Sequence, residues 1–393
     1  MRVDDREQNR LPVGGCATVQ MKIVPSMWIR FDSYRNFLRR FPPWRDRKGD
    51  PDLFRFAYPN HKPRSRKLWV ILAVFLVFYN CLALYLFARE NQRSQHLLNS
   101  KAGLAERVAS LPDPGQETPY HFVYAEKDEP LLLCEKETKT LFCFRFEGEK
   151  FSLFRAYRCI LGANNHDKKK NGDAATPLGV YFFLRYIPGK SLPPQYGFGS
   201  YVLNYPNFLD RLDKKQGGGI WLHGHNEAQS PGKDLTNTKG CIVVSNSDLQ
   251  EMRAYLTPRG NPIVVVNKLR FSPRQYQKEL SRELTSLVNS WKHAWESLDT
   301  QKYLSFYAQD FMRGGMGYSA FKKHKEKVNS GKKQIRVEVE DLAILLPPEY
   351  EGKVAVARFN QHYTSSNFRD DCKKLQYWRK GFGGWQIISE NVF

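Results

Sequence analysis

Acidic residues are scarce in this 393-residue sequence, because 40 Asp and Glu stand against 61 Lys and Arg, and the formal net charge is +21. A balance of this kind is typical of proteins that bind nucleic acids or anionic surfaces. The sequence contains no nucleic-acid-binding motif, however, and its basic residues are spread along the chain. We therefore expect no nucleic-acid partner and favour an anionic cell wall or membrane surface.

Cysteine is also scarce, with seven residues in the chain. Cys16 lies in the N-terminal part and Cys81 in an apolar run. The others are Cys134, Cys143, Cys159, Cys241 and Cys372. This odd number leaves at least one thiol unpaired within the monomer. Cys134 and Cys143 flank a predicted hairpin turn symmetrically; we favour two buried thiols, and a disulfide between them is the alternative.

The long apolar run LWVILAVFLVFYNCLALYLFA extends from Leu68 to Ala88, between Lys67 and Arg89. At about 1.5 Å per residue it is long enough to cross a hydrocarbon core of roughly 30 Å. It is too long for a signal peptide, lies far from the start, and is followed by no clear small-residue cleavage site. Lys and Arg dominate residues 1–67, which predicts a basic cytoplasmic tail, one transmembrane helix, and the bulk of the chain outside.

Residues 89–118 read as a polar linker with a helical part around 97–111. From there, short apolar runs separated by polar turns predict a mainly-β domain over 119–270. Residues 185–216 are rich in Pro, Gly, Tyr and Asn and predict a long connection that acts as a lid or substrate wall.

The last part of the chain, 279–393, has the pattern of a second domain. Leu and Trp recur at three- and four-residue spacing from Leu284 to Leu298, which predicts an amphipathic helix. A second helix is predicted from Asp299 to Phe311. The predicted strands of a curved sheet are 335–345, 354–363, 375–380 and 385–390.

Two short apolar runs carry the residues that point to chemistry. The first, IWL, leads into His223 and Gly224, and after a polar loop the second, IVV, directly follows Cys241. Both runs are typical of buried strands, so we expect the imidazole and the thiol at neighbouring strand ends. An imidazole that draws the thiol proton lets the thiolate attack a carbonyl. Gly240 leaves the backbone free to approach a substrate, so its N–H and that of Cys241 are candidates to hold an oxyanion.

The pattern resembles the YkuD-type L,D-transpeptidase family, which acts on bacterial peptidoglycan. The family signature is His-Gly, a variable loop and then Ser/Thr-x-Gly-Cys, matched here by His223-Gly224 and by the run TKGC that ends at Cys241. The upstream run GDAATPLGVY, from Gly172 to Tyr181, resembles the family's Gly-Asp…Thr-Pro-x-Gly-x-Tyr segment. Either motif alone would be weak, but two in the right order make the resemblance specific.

The resemblance implies that Cys241 is the nucleophile and His223 the general base, oriented by the backbone carbonyl of Gly224. The residues expected to contact substrate are Lys239, Thr238, His225, Asp173 and Tyr181. The resemblance implies no cofactor and no metal. A zinc site formed by His223, His225 and Cys241 is the alternative, because all three are zinc-ligand types and alternate strand residues share a face.

Two positions depart from the common family pattern. Many members have His where this chain has Lys239, and Arg where it has Val243. We expect both positions to line the substrate region, so the departures affect substrate preference and the choice of acyl acceptor.

The C-terminal sequence, with WKHAWESLDTQKYLSFYAQDF and GWQIISE, resembles NTF2-like (SnoaL-like) domains. That fold is a helix-lined cone of sheet, and its cavity is expected to take a wall or protein ligand. The order of a YkuD-type domain followed by an NTF2-like domain resembles the L,D-carboxypeptidases that set helical cell shape in some bacteria. The expected fold class is therefore mixed: one N-terminal transmembrane helix, a mainly-β catalytic domain and an α+β cone.

These observations predict a membrane-anchored enzyme that acts on peptidoglycan stem peptides through a cysteine acyl-enzyme. It would lie in the inner membrane of a bacterium, with its catalytic domain outside the cytoplasm. Transpeptidation is the expected class, and L,D-carboxypeptidase trimming of tetrapeptide to tripeptide is the alternative. A non-catalytic scaffold that binds the cell wall is the alternative from another class.

Overall fold

A computed structural model describes residues 66–126, 128–225 and 236–392 of the chain. Of residues 66–69 and 92–100 it describes the helical backbone alone. The tail predicted for residues 1–67, apart from its last two residues, lies outside the described part, as does most of the polar loop between His225 and Thr238.

The helices are α1 Arg66–Ala109, α2 Phe208–Leu212, α3 Asn246–Arg253, α4 Arg274–Glu296, α5 Thr300–Leu304 and α6 Tyr318–Ser330. The first strands are β1 Glu117–Pro119, β2 Phe122–Tyr124, β3 Pro130–Glu135, β4 Thr140–Phe146, β5 Phe151–Arg158, β6 Gly179–Pro188, β7 Gly199–Leu203, β8 Trp221–His225, β9 Ile242–Ser245, β10 Pro262–Val266 and β11 Phe271–Pro273. The later strands are β12 Tyr307–Arg313, β13 Met316–Gly317, β14 Ile335–Leu345, β15 Val354–Ser365, β16 Phe368–Gly381 and β17 Gly384–Val392.

Helix α1 contains the predicted apolar span. Its segment Val70–Asn91 is long and apolar enough to cross a membrane, and its side chains are exposed. The helix continues without a break to Ala109, so the polar tether predicted for 89–118 is helical over most of its length. The absence of Gly and Pro between Arg89 and Lys101 is the local reason, because nothing there interrupts the backbone hydrogen bonds.

The first large sheet has eight strands in the order β5-β4-β3-β10-β6-β7-β8-β9. Most neighbours are antiparallel, whereas β3 runs parallel to β10 and β8 runs parallel to β9. Apolar side chains cover both faces of its central strands, which is why β10 is buried along its whole length. The parallel pair β8–β9 lies at one edge, and it carries the residues that the sequence selects.

The segment predicted to be one long connection, 185–216, contains regular structure. It includes the end of β6, the whole of β7 and helix α2. Strand β7 joins β6 to β8, so the prediction of one long connection was wrong, while the role as a lid or substrate wall stays a prediction. Polar turn residues concealed a strand that the sheet buries between two neighbours.

Cys134 and Cys143 do not face each other across the hairpin. Cys134 pairs with Leu141, and Cys143 pairs with Leu132. The Cys134 Sγ lies instead 3.9 Å from the Sγ of Cys159, and all three cysteines are unbridged and buried. The favoured expectation of buried free thiols agrees with this arrangement.

The second large sheet has the order β13-β12-β17-β16-β15-β14-β2. Helix α4 packs its apolar stripe, which includes Leu284, Val288 and Trp291, into the concave face of this sheet. The helix predicted from Asp299 ends at Leu304, because Tyr307 already pairs with Ile387 of β17. Pairing with β17 and burial of Tyr307, Ala308 and Phe311 outweigh the helical spacing of the aromatic residues.

Strand β2 belongs to this second sheet, although it precedes the catalytic strands in the chain. Its residues Phe122 and Tyr124 pair with β14, and β1 pairs with β11. The mainly-β domain predicted to begin at residue 119 therefore includes β2, although β2 pairs with a strand of the C-terminal sheet. One apolar core continues across both domains: it contains Phe122, Leu131, Phe142, Val180, Val264, Leu345, Val356, Tyr377 and Ile388.

A polar network lies inside the cone. The buried Glu390 carboxylate accepts hydrogen bonds from Lys374 Nζ at 3.0 Å and from the Tyr307 hydroxyl at 3.1 Å. The Tyr303 hydroxyl lies 2.6 Å from that of Tyr307, and Trp291 Nε1 donates to the latter at 2.9 Å. The Lys374 counter-charge and the other nearby cations hold the pKa of Glu390 at about 2 despite the opposing effect of burial.

Candidate active site

His223 is held on β8 by its neighbour in the chain. Its Nδ1 lies 2.8 Å from the carbonyl oxygen of Gly224, the partner that the sequence predicts. A carbonyl accepts a hydrogen bond, so Nδ1 carries the proton and Nε2 keeps a lone pair. Burial lowers the pKa of His223, with the charge of His225 adding to the effect and the Gly224 hydrogen bond opposing it. The ring is therefore neutral near pH 7 and has a free basic nitrogen.

Cys241 directly precedes β9, whose first residue, Ile242, pairs in parallel with Leu222 of β8. This register sets the thiol at the edge of the pair of strands that carries His223. The Sγ lies 3.5 Å from the Gly219 carbonyl oxygen. Burial raises the pKa of Cys241, while a hydrogen bond from the Trp221 backbone and the charge of Lys168 oppose the rise. The resting thiol is therefore protonated.

Gly240 has a structural reason to be glycine. Its φ is +127°, and a Cβ there would lie 2.7 Å from the Ala175 carbonyl oxygen. Its N–H, however, donates to Thr238 Oγ1 at 3.0 Å, so it is not available as the predicted oxyanion donor. Of the predicted pair of oxyanion donors, the Cys241 N–H therefore stays as the candidate.

Thr238 closes this turn instead of presenting its hydroxyl to a substrate. The same Oγ1 that accepts from Gly240 donates to the Cys241 carbonyl oxygen at 2.8 Å. Because both functions of the hydroxyl are occupied, the predicted substrate contact does not fit. Thr238 is better described as the residue that shapes the turn before the thiol.

Lys239 and His225 lie at the margin of the site. Lys239 is exposed, and His225 is half-buried at the end of β8. Both positions are accessible to a bound molecule, as a substrate contact requires. Among residues 66–126, 128–225 and 236–392, no group of three or more His, Cys, Asp or Glu is arranged to hold a metal ion. The alternative of a zinc site with His223, His225 and Cys241 therefore gains no support.

The side chains of the key residues of the upstream motif, Asp173 and Tyr181, are buried and bonded within the protein. Asp173 forms a buried ion pair with Lys168, at 2.7 Å, and its carboxylate also accepts the backbone N–H groups of Lys169, Lys170 and Ala175. These contacts hold the pKa of Asp173 far below its usual range, although burial acts in the opposite direction. The Tyr181 side chain is fully buried, and its hydroxyl donates to Leu178 O at 2.7 Å. The predicted substrate contacts of Asp173 and Tyr181 do not fit this burial.

Val243 also differs from the expectation. It is 1% exposed and forms an antiparallel bridge with Ile160, so its side chain does not line an accessible surface. Only Lys239, of the two departures from the family pattern, is at a position open to substrate.

One aromatic side chain over the imidazole, in the segment predicted to be a lid or substrate wall, was not singled out from the sequence. The Tyr196 ring lies 4.9 Å from both the His223 ring and the Trp221 ring, measured between centroids. The segment that carries Tyr196 is tied down by Phe198, whose N–H donates to Asn246 Oδ1 at 2.7 Å. The available signal was the aromatic content of the segment predicted to be a lid, but no periodicity identified Tyr196 itself.

Two sequence profiles match the chain. The profile of the L,D-transpeptidase catalytic domain, YkuD, covers residues 130–265, and that of the Cds6 C-terminal NTF2-like domain covers 283–391. The chain thus carries a YkuD domain followed by an NTF2-like domain, the order that its motifs predicted. No protein of curated function matches the sequence.

Solved structures share the whole two-domain arrangement. Bd1075 of Bdellovibrio bacteriovorus is 25% identical, with a TM-score of 0.58, and the match covers 70% of this chain and 99% of that protein. The helical cell shape determining protein Pgp2 of Campylobacter jejuni is 26% identical, with a TM-score of 0.54, and the match covers 74% of this chain and 98% of that protein. The likeness therefore extends over both domains of these relatives.

Proposed function

We propose that the protein is a membrane-anchored cysteine enzyme that acts on peptidoglycan stem peptides through an acyl-enzyme on Cys241. The observation that supports the proposal is the parallel pairing of β8 with β9, because Cys241 directly precedes the strand next to the one that carries His223, and the Nδ1 of His223 is bonded by Gly224. The YkuD profile over these strands supports the choice of substrate class. A role in cell shape is proposed by analogy with Pgp2, a helical cell shape determining protein.

The chemistry begins with a proton transfer. His223 Nε2 takes the proton of the Cys241 thiol, and the thiolate attacks the carbonyl that links an L-centred residue to the terminal D-alanine. In this proposal the Cys241 N–H is the donor that stabilises the oxyanion, because the Gly240 N–H is bonded to Thr238. The imidazolium then returns its proton to the amine of the departing D-alanine. The resulting thioester is resolved by an amine, which gives a cross-link or attachment, or by water, which gives a trimmed peptide.

Hydrolysis is the second candidate. The exposed Lys239 stands where many cross-linking members of the family have His. The order of the two domains, which resembles that of the L,D-carboxypeptidases that set helical cell shape, also favours trimming. The shape of the cleft and the groups that exclude water decide whether an amine or water accepts the acyl group. Membership of the family therefore does not by itself decide the acceptor.

The experiment separates the two outcomes directly. The purified protein is given a disaccharide tetrapeptide with and without excess free D-amino acid, and the products are read by mass spectrometry. Tripeptide alone supports the carboxypeptidase. Incorporation of the added amino acid, or dimer formation, supports transfer. An unchanged tetrapeptide under both conditions contradicts both.

The scaffold alternative has its own test. A carbapenem-type acylating agent should add its mass to the wild-type chain, because a catalytic thiol forms a stable thioester with it. Cys241→Ser should remove the adduct, and Cys372→Ser should keep it. The latter is a matched control, since Cys372 is also partly exposed but lies in the other domain. A wall-binding scaffold would give no adduct at Cys241. A wall or protein ligand for the NTF2-like cavity stays a prediction.

The anchor is proposed with its N-terminus in the cytoplasm. The motivation is the excess of Lys and Arg before Leu68, combined with the apolar segment Val70–Asn91. A reporter that is active only outside the cytoplasm, fused after Phe393, should be active. A reporter that works only in the cytoplasm, fused at the same place, should be silent. The reverse pattern would overturn both the orientation and the wall substrate.

A further inference from the structure

A buried lysine gathers three carboxylates at the boundary between the two domains. Lys215 Nζ lies 2.8 Å from Asp167 Oδ2, 3.3 Å from Asp210 Oδ1 and 3.1 Å from Glu349 Oε1. The lysine side chain is 5% exposed and that of Asp210 is 2% exposed. We call these four residues the interdomain ion cluster.

Glu349 brings the second domain into this cluster. It lies in the short turn Pro348–Tyr350 between β14 and β15, whereas the other three residues belong to the catalytic domain. Its Oε2 atom is buried with no hydrogen-bond partner in the part of the chain that the structure describes. The side chain of Glu349 is therefore held to the catalytic domain through its other oxygen and Lys215.

The segment that follows Lys215 contacts the thiol. Four residues further on is Gly219, whose carbonyl oxygen lies 3.5 Å from Cys241 Sγ. Between them, the Gln216 N–H donates to the carbonyl oxygen of Lys169 at 2.9 Å, which ties this segment to the loop that begins at Asp167. A displacement of Lys215 would thus move the backbone that the thiol contacts.

The Asp167 loop forms the other side of the site. Asp167 Oδ1 accepts the Leu178 N–H at 2.8 Å, which closes the loop on itself. Within the loop, the Ala175 carbonyl oxygen presses against Gly240, the residue before the nucleophile. Both segments that flank Cys241 therefore converge on the same ammonium group.

Because the cluster holds three carboxylates, the contact from Glu349 can be removed without leaving Lys215 unpaired. Three carboxylates surround one ammonium, so Asp167 and Asp210 still partner Lys215 when the third is lost. Burial raises the pKa of both Asp210 and Glu349, and the lysine opposes the rise. Removing Lys215 would instead leave buried carboxylates without a cation, and that change risks unfolding the domain.

We propose that Glu349 is a positioning residue for Cys241. The NTF2-like domain fixes, through Glu349 and Lys215, the two backbone segments that hold the thiol. The YkuD domain of this chain therefore reaches its full reactivity only when the C-terminal domain is docked. The effect on turnover rests on the proposed function, whereas the effect on thiol reactivity does not.

The test uses the full chain with Glu349→Gln, which keeps the size of the side chain and removes its charge. Two quantities are measured: the rate constant for alkylation of Cys241 by a chloroacetamide, followed by intact mass, and kcat and KM on the disaccharide tetrapeptide. We expect alkylation and kcat to fall by about three- to tenfold while KM changes by less than twofold, because small displacements of reacting groups lower the rate more than binding. Glu349→Asp, which keeps the charge on a shorter side chain, should restore part of the loss.

Tyr350→Phe is the matched control. Tyr350 is the next residue, and its hydroxyl donates to Asp213 Oδ2 at 2.9 Å, so it makes a contact across the same boundary that bypasses Lys215. We expect the alkylation rate and kcat of this variant to equal those of the wild type. Thermal unfolding of each variant reports whether the fold is kept.

The outcomes are distinguishable. Wild-type alkylation and kcat in Glu349→Gln would overturn the inference, and so would an equal loss in Tyr350→Phe, which would point to domain docking in general. If the wild type does not process tetrapeptide but Glu349→Gln still slows alkylation, the proposed function fails and the positioning role stands.

Discussion

Two buried titratable sites occupy the two domains, and their surroundings treat charge in opposite ways. In the catalytic domain, burial raises the pKa of Cys241 and lowers that of His223, so both groups are kept neutral. In the NTF2-like domain, Glu390 is fully buried, yet its pKa is about 2, because Lys374 lies 3.0 Å away. Burial alone therefore does not decide the charge state; the presence of a close counter-charge does.

The difference separates reactive groups from structural ones. Neither the thiol nor the imidazole forms an ion pair with a residue that the structure describes, so no such counter-charge holds either group in its charged form. The Glu390 carboxylate is already ionised and paired with Lys374, and its pKa of about 2 is far from neutral pH. Substitutions in the two sites should accordingly affect different measurements.

The largest expected effect is that of Cys241→Ser. The change is nearly isosteric, but the hydroxyl is a far weaker nucleophile, so we expect no detectable acyl-enzyme and unchanged thermal unfolding. Intact mass after incubation with substrate or a carbapenem gives the first result, and calorimetry gives the second. A variant that still turns over at the wild-type rate would assign the nucleophile elsewhere.

His223→Ala should lower the acylation rate by roughly 10²–10⁴-fold, the usual contribution of a positioned general base. Stopped assays of adduct formation at several pH values measure the loss. His225→Ala is the control, because it removes the neighbouring imidazole but keeps the one bound by Gly224. An equal loss in both variants would contradict the separate roles assigned to them.

Glu390→Gln should act on stability instead of catalysis. It leaves Lys374 buried without its anion, and breaking a buried pair in this way costs about 3–5 kcal/mol. Denaturant unfolding measures the change. Glu338→Gln, which removes an exposed ion pair with Arg336 on the same sheet, should cost well under about 1 kcal/mol. Equal effects of the two substitutions would remove the contrast between the sites.

Sequence patterns selected His223 and Cys241 as the proposed catalytic pair because the contacts of these residues are local or lie between adjacent strands. His223 bonds to the next residue, and Cys241 precedes the strand that pairs with β8. The Lys215–Glu349 contact joins residues 134 positions apart, and no pattern in either segment indicates it. The same holds for β2, whose apolar residues fit either sheet and whose partner is decided only by packing of the whole chain.

Thr238 illustrates a second limit. Its position in the motif predicted substrate contact, but the hydroxyl is consumed by Gly240 and Cys241. Which side of a turn a hydroxyl faces depends on backbone angles that residue types alone do not fix. Asp173 and Tyr181 were recognised as motif residues for the same reason, although they act from inside the fold.

Thr238→Val should therefore destabilise the turn by about 1–2 kcal/mol and slow acylation, because two polar backbone groups lose their partner. Thr236→Val in the same turn is the control, since Thr236 is exposed. Unfolding and alkylation rates are measured on both. No difference between the two variants would mean that the Thr238 hydroxyl does not shape the site.

The smallest effect is a shift in pH dependence. Because the pKa of His223 is lowered, acylation should persist below pH 6.5 and fall only as the imidazole protonates. The stability of the NTF2-like domain should instead fall in acid. A carboxyl whose pKa is lowered by folding stabilises the fold at pH values above its unfolded-state pKa, and it loses that contribution as the pH falls through its folded-state pKa. We expect the loss between pH 4.5 and about 2, read by unfolding at a series of pH values.

The pairing of β2 with β14 also limits how early the protein can finish folding during its synthesis. His121, beside β2, bonds to the Leu346 carbonyl, 225 positions later in the chain. Phe122 is therefore made early and stays without its sheet partner until most of the chain has been synthesised. A fragment that stops before β14 exposes this apolar edge, which is a template for aggregation. The second sheet can therefore be completed only after β14 has been synthesised.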